Sequence, residues 1–278
     1  CKIVEFFGQY TKDRKVAWDK TVASQLCPYT KKKCIKTRKS SPDISIGTCT
    51  LEYQKKEIVI CPHRLLERKQ VFMDCIHLLP LHRPGNELHV ISEVKIPGGC
   101  VDYFLVSVSN DSVVDFVGIE FQTMDTTGTI WPERQRMLVE KGVIENDPDS
   151  NNRRSFGMNW KMTAKTILIQ MHHKSETFEN LDKHLVLVIQ KPFLDYMKKE
   201  FSFQNINDLS NRDCIQIHTY TLEEFNSVLK LRLDSRLSTD AKGIAECLGL
   251  RAESEVDIKN IQRILESKIP SDTLLTVE

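Results

Sequence analysis

Apolar and polar residues alternate along three neighbouring stretches: LHVISEVKI at 88–96, VDYFLVSV at 101–108 and VVDFVGIEF at 113–121. Period-two alternation rich in branched and aromatic residues predicts strands, and PGG at 97–99 and SNDS at 109–112 supply turn chemistry between them. Farther on the period changes. In MNWKMTAKTILIQMHH, Trp160, Ala164, Ile167, Leu168 and Met171 recur at helical spacing, with His172-His173 at the end of the segment. HLVLVIQ at 184–190 reads as a buried strand and IQIHTYTL at 215–222 as another. Helices are expected near 12–26 and 63–79. The last 45 or so residues also look helical, SEVDIKNIQRILESKI being the clearest case. Strands with an intervening helix predict an α/β fold, a mixed sheet flanked by helices.

The Pro and Gly of LPLHRPGNE mark the end of a first, loop-rich unit. The chain therefore divides into an N-terminal module at 1–88, a core at 89–235 and a C-terminal helical segment at 236–278. The polar stretch ENDPDSNNRRSFG at 145–157 reads as a mobile loop. No run of about 18 apolar residues appears, so no membrane span is expected, and the localisation expected is cytoplasmic. No signal-peptide pattern is visible, although the first residue is Cys1 and not Met, which leaves a preceding segment open.

The 278 residues are 40% apolar and 28% charged, an ordinary globular balance that excludes a disordered chain. The net charge of +1 says nothing about partners, because nucleic acid is bound by a local basic face. KKKCIKTRK at 31–39, with six Lys or Arg in nine residues, is such a patch, or else a solvated loop.

The three strands carry unusual cargo. Asp102 stands near the start of the second, and Glu120 and Gln122 share one face of the third. If the turn lies at 109–112 and Ser109 pairs with Val113, Asp102 falls opposite Glu120, with Cβ atoms about 5 Å apart. Two carboxylates this close repel unless a cation arrives. Mg²⁺ meets that need, since it takes one or two protein carboxylates with waters and a phosphate oxygen. The bland alternative is a carboxylate at a solvated strand end. An Asp after a Gly-rich turn, then Glu-x-Gln on the next strand, resembles the PD-(D/E)xK nuclease core, with Gln122 at the usual Lys position. Gln cannot ionise, but it can position a water. Glu93-Val94-Lys95 is a rival Glu-x-Lys, with Asp74 as its upstream carboxylate. Because Asp74 lies in an expected helix, Glu93 fits better as a neighbour of Asp102.

A wider set of blocks adds to this. VEFFGQ at 4–9, LCPYT at 26–30, Cys34, GTC at 47–49, VICPHRLL at 59–66 and IEFQTMDTTG at 119–128 resemble, in order, the NotI family of type II restriction endonucleases. The likeness covers roughly residues 4–130, and the FGMNWKMTAKT helix is similar in character. It implies sequence-specific cleavage of double-stranded DNA to 3′-hydroxyl and 5′-phosphate ends by a homodimer. Asp102 and Glu120 would hold Mg²⁺, Glu93 would assist and Gln122 would orient the attacking water. Two alternatives stay open: a DNA-binding metalloprotein with an inert nuclease-like core, and a structure-specific repair nuclease.

Nine cysteines are many for an intracellular enzyme, and an odd number does not suggest a disulfide scaffold. Four are spaced Cys27-x₆-Cys34-x₁₄-Cys49-x₁₁-Cys61, and Cys27 and Cys61 each precede Pro. Four thiolates close a tetrahedral structural metal site, whereas four small buried hydrophobes are the plain alternative. The residues leave iron and zinc open; the resemblance implies iron. Cys1, Cys75, Cys100, Cys214 and Cys247 read as core or incidental. Trp131-Pro132, Arg134, Arg153-Arg154 and the pair Lys161 and Lys165 are further candidates to face DNA.

Overall fold

The computed structural model describes residues 2–151, 156–210 and 212–249. The N-terminal part builds a small antiparallel sheet in the order β2-β1-β5-β6 from β1 Ile3–Phe6, β2 Gln9–Tyr10, β5 Thr48–Tyr53 and β6 Lys56–Val59. Between its halves lie α1, Trp18–Ser24, and a minor pair of strands, β3 Thr37–Arg38 and β4 Ser41–Ser45. The helix expected over 12–26 is shorter because the Asp13 carboxylate accepts the Lys15 N–H at 2.9 Å, a local turn that diverts the backbone before residue 18. The helix expected over 63–79 is broken as well. A 3₁₀ segment, Pro62–Lys69, is interrupted at Glu67 and Arg68, and α2 follows at Gln70–Cys75.

The remaining described elements, in chain order, are β7 Glu87–Ile96, β8 Gly99–Ser109, β9 Ser112–Phe121, β10 Thr126–Thr127, α3 Trp131–Glu140, β11 Gly157–Met158, α4 Trp160–Asn180, β12 Leu185–Gln190, α5 Lys191–Glu200, β13 Asn207–Asp208, β14 Ile215–Phe225, β15 Val228–Thr239 and α6 Ala241–Cys247. Seven strands form one mixed sheet in the order β13-β15-β14-β12-β9-β8-β7. β12 runs parallel to β9 and to β14, and the other pairs are antiparallel. A parallel return cannot be made by a tight turn, so the chain crosses from β9 to β12 through α3 and α4. All six residues of β12, LVLVIQ, are buried, as a strand covered on both faces requires.

Two apolar layers cover the sheet. On one face Ile167, Leu168, Met171 and Phe178 of α4 pack with Phe104, Leu185, Leu187 and Ile189. On the other, Val71, Phe72 and Cys75 of α2 pack with Leu105, Val117, Ile119, Val186 and Val188. The α4-side core also contains Ile3, Phe6, Leu51 and Ile58, so packing runs continuously from the first 88 residues into the main sheet. Polar ties reinforce it. Arg64 is fully buried; its Nε donates to both Glu5 oxygens at 3.0 and 2.8 Å, and its other nitrogens donate to Glu67 at 2.8 Å and to Leu229 O at 3.0 Å. The Gln190 side chain bridges Glu57 O at 2.7 Å and the Val59 N–H at 2.9 Å.

Residues 234–239 belong to β15, not to a helix. Leu229, Leu231 and Leu233 follow period two, and Asn226-Ser227, both left-handed at φ +50° and +59°, form the tight turn from β14. The segment SEVDIKNIQRILESKI lies outside the described residues.

Candidate active site

The β8–β9 hairpin turns at Asn110-Asp111, both left-handed at φ +49° and +59°, which lets Ser109 pair with Ser112. This loop is one residue tighter than the pairing of Ser109 with Val113 expected from the sequence. A bulge compensates: Val108 pairs with Val113, but Ser107 pairs with Asp115. The register after the bulge runs to Tyr103 opposite Ile119. One further step sets Asp102 against Glu120, as expected. The Phe121 N–H donates to Asp102 Oδ2 at 2.8 Å, which fixes the first carboxylate on the strand bearing the second.

Burial shapes the charge of both groups. It raises Asp102, against the lowering effects of the Phe121 N–H and of Lys174; nearby Glu93 raises it further. Glu120 is 3% exposed. Burial pushes its carboxyl up to about 7, with Asp102 adding to the rise and Lys174 opposing it. A pair of this kind draws in positive charge.

That charge is supplied by a residue the sequence reading did not single out. Lys174 Nζ lies 2.6 Å from Glu120 Oε1, with side-chain exposures of 5% and 3%. Lys174 sits in the buried stripe of α4 that runs Ala164, Ile167, Leu168, Met171, Ser175 and Phe178. The legible signal was a cation at a core position of an amphipathic helix. The Pro97-Gly98-Gly99 turn brings the strands against this helix. A Cβ on Gly98 would lie 2.1 Å from His173 O, and one on Gly99 would lie 3.1 Å from Lys174 Cε. Thr177 Oγ1 donates to Pro97 O at 2.9 Å. His172-His173 therefore do not end the helix, which continues through Asn180.

Gln122 follows directly on β9. Its N–H donates to Val188 O at 3.0 Å, and its side-chain nitrogen donates to Thr123 O at 2.6 Å. Gln122 is half-buried, and among the described residues its side-chain oxygen takes no hydrogen bond. Glu93 lies between Ser92, opposite Tyr103, and Val94, opposite Val101, which places it across from Asp102. Its backbone is left-handed, φ +56°, and its side chain is exposed. In the rival assignment Lys95 is exposed, and Asp74 is held on the opposite face of the sheet by Tyr220 Oη and Gln70 Nε2, each at 2.9 Å.

The four thiols of the ladder are neighbours. The nearness of Cys49 lowers Cys61 to about 6 despite burial, and the nearness of Cys61 together with burial raises Cys49, whose Sγ donates to Gly47 O at 3.7 Å. Burial, then the proximity of Cys61 and Cys27, raise Cys34. Burial alone would raise Cys27, but hydrogen bonds from His63 and Thr30 bring it down to about 7. His63 follows Pro62 in VICPHRLL and was not singled out in the sequence. A turn fixes Cys27 and Cys34: Cys27 N–H donates to Lys32 O at 2.8 Å, and Cys34 N–H to Gln25 O at 2.9 Å. Among the described residues no group of three or more His, Cys, Asp or Glu side chains is arranged to hold a metal ion.

Other candidates sort differently. Lys31, Lys32, Lys33, Lys36 and Lys39 of the basic stretch are exposed, and Ile35 among them is 76% exposed. Lys161 and Lys165 are exposed one turn apart on α4. Trp131, Pro132 and Arg134 do not face solvent: all are buried, and Arg134 lies 4.7 Å from the Trp131 ring centroid and donates to Ile46 O at 3.2 Å. They anchor α3 to the N-terminal sheet. Arg153 and Arg154 lie outside the described residues. Among those residues, no helix is long and apolar enough to cross a membrane. Compared with known families and curated proteins, the chain matches no family model and no curated sequence significantly.

Proposed function

We propose that the chain is a Mg²⁺-dependent endonuclease that cleaves double-stranded DNA at specific sequences, acting as a homodimer in the manner of a type II restriction enzyme. The observation that carries this reading is the facing pair of half-buried Asp102 and buried Glu120, with Glu120 pushed up to about 7 beside Lys174. Hard oxygen donors of this type suit Mg²⁺, and Asp102 and Glu120 would hold it, with Glu93 assisting directly or through water. Bound there, the ion supplies positive charge and Lewis acidity for phosphodiester hydrolysis. Gln122 offers its side-chain oxygen to the attacking water. The water oxygen forms the new bond to phosphorus as the bond to the 3′ oxygen breaks. The water's proton passes to solvent and the 3′ oxygen takes one from it. The exposed lysines at 31–39 and at 161 and 165 supply phosphate contacts.

Cys27, Cys34, Cys49 and Cys61 would hold a structural metal, iron or zinc. The fit is chemical: four sulfur donors, Cys49 on β5 and the others on the segments around it, with two lowered toward thiolate. Two-fold symmetric cleavage of a duplex needs two such active sites, hence the homodimer.

The test is incubation with Mg²⁺ and a long DNA of known sequence, followed by mapping of the ends. Discrete cuts at one repeated sequence support the reading. Binding without cutting would favour an inert core, and preference for flaps or nicks would favour a repair nuclease.

A further inference from the structure

The ion pair of Lys174 with Glu120 is an expensive arrangement if its only role is structural. Buried ion pairs are often no more stabilising than apolar residues of the same volume. Lys174 occupies a buried stripe whose other members, Thr163, Ala164, Ile167, Leu168, Met171, Ser175 and Phe178, are all uncharged. Yet the fold makes room for it. The turn at Gly98-Gly99 lies against α4 at His173 and Lys174, closer than any side chain would allow at Gly98. The lysine is thus delivered to the carboxylates by two elements, the helix that carries it and the turn that admits it.

The charge at the centre explains why a cation is wanted there. A divalent ion between two carboxylates is neutral overall. The phosphodiester it meets carries one negative charge, and attack by hydroxide adds a second in the transition state. Such a centre lacks a compensating cation. Gln122, at the end of β9, is uncharged and has its nitrogen engaged with Thr123 O. Lys174 is the ammonium in contact with Glu120, and it offsets one negative charge at the loaded centre.

We infer that Lys174 holds the place of the divalent ion on Glu120 while the metal is absent, and contacts the phosphate undergoing hydrolysis once the metal has taken that carboxylate. This rests on the nuclease reading for its second half only. The Lys174 ammonium donates hydrogen bonds to phosphate oxygen, and the bond changes are those of hydrolysis given above. Its four-carbon stem allows the ammonium to move by a few ångström with no change in α4.

The experiment compares the wild-type chain with Lys174→Met, Lys174→Gln and Lys174→Arg. Folding is checked by circular dichroism and thermal melting, and Mn²⁺ binding without DNA by calorimetry at pH 8.5. Removing the competing ammonium should tighten Mn²⁺ binding by about 10-fold in the Met variant. DNA cleavage in Mg²⁺ should fall by roughly 10² to 10³ in kcat with little change in KM, as when one transition-state donor is removed. Arg should recover part of the rate. If Met does not fold, Gln carries the same comparison. Weaker or unchanged Mn²⁺ binding in folded Lys174→Met overturns the place-holding role. Wild-type cleavage by that variant overturns the phosphate contact. Should the wild-type chain cut no DNA, the nuclease reading fails, and the Mn²⁺ measurement still decides whether Lys174 competes with the metal.

Discussion

Phe121 donates its backbone N–H to the Asp102 carboxylate at 2.8 Å, so the first acid of the site is pinned to the strand that presents the second. The bond explains how a half-buried and a buried carboxylate hold one orientation across a sheet. It also makes Asp102 partly structural. Asp102→Asn keeps an acceptor for Phe121 and removes only the charge; Asp102→Ala removes both.

Cleavage in Mg²⁺ should therefore fall by about 10³ or more in Asp102→Asn and in Glu120→Gln, a loss comparable to removing the main electrostatic stabilisation of a transition state. DNA binding, measured in Ca²⁺, should stay within a few-fold of wild type, since it rests on phosphate contacts elsewhere. Lys95→Ala should be mild. Near-normal cleavage by Asp102→Asn would place the active centre somewhere else, and loss of cleavage in Lys95→Ala would revive Glu93-x-Lys95.

Gly98 offers a test of how the turn positions α4. At φ +93° any side chain is strained, and a Cβ would meet His173 O at 2.1 Å, a backbone atom that cannot swing away. Gly98→Ala should cost about 2–4 kcal/mol in urea unfolding, at the upper end for single substitutions, because helix and turn must separate. Gly85 has a similar φ, +96°, with nothing within 4 Å, so Gly85→Ala should cost only the backbone term of roughly 1 kcal/mol. Equal losses in the two variants would show that the close approach to α4 carries no weight.

How far the site was legible depends on which forces were local. Alternation in residues 88–121 and the turn residues between the strands identify the hairpins, because both are set within a few residues. The facing of Asp102 and Glu120 was reached through a turn one residue too long, and the bulge between Ser107 and Asp115 cancels the error. Lys174 was missed because its role is tertiary: nothing in HHKSE indicates that a Gly-Gly turn 75 residues earlier will press against it. The same holds for Arg134, whose charge suggests a surface until Trp131 and Ile46 enclose it. Residues 234–239 of β15 suggest the start of a helical tail because their mostly polar run hides the strand alternation, which is fixed by pairing with β14.

His218 sets a pH limit on the fold. It is fully buried in β14, its Nε2 2.9 Å from Gln216 Oε1 and its Nδ1 3.8 Å from Cys75 Sγ, and it stacks on His77. Burial, with added repulsion from Arg236 and His77, pushes it down to about 3. In the unfolded chain an ordinary histidine titrates near 6.5. Between those values the unfolded state binds a proton that the folded state does not, so stability falls as pH drops from about 6.5 toward 3 and is unaffected by this group above that range. The loss should reach a few kcal/mol at the acid end. His218→Gln should be less stable at pH 7.5, where it disturbs packing, but its melting temperature should fall less steeply between pH 6.5 and 4.5. A slope equal to that of wild type would assign the acid sensitivity to other groups, His77 and His184 among them.

The four thiols make the last prediction. Cys49 lies close enough to Cys61, and Cys34 to both Cys27 and Cys61, for their charges to interact. If these sulfurs close on a metal, purified protein should carry about one tightly bound iron or zinc per chain. Elemental analysis distinguishes the two, and ferric iron with four thiolates is coloured whereas zinc is not. Because metal binding and local folding are linked, Cys34→Ser and Cys49→Ser should lose the metal and destabilise residues 27–61, with falls in solubility and DNA binding but no change in the chemical step of the enzyme that remains folded. Cys214 and Cys247 lie elsewhere, donating to Glu179 Oε1 at 3.5 Å and to Ser202 O at 2.8 Å, bonds that a serine hydroxyl can also make. Serine at either position should leave metal content unchanged. A folded, active wild-type protein with no thiolate-bound metal would reduce the four ladder cysteines to packing residues. They and His63 would then form a partly buried cluster of neighbouring side chains.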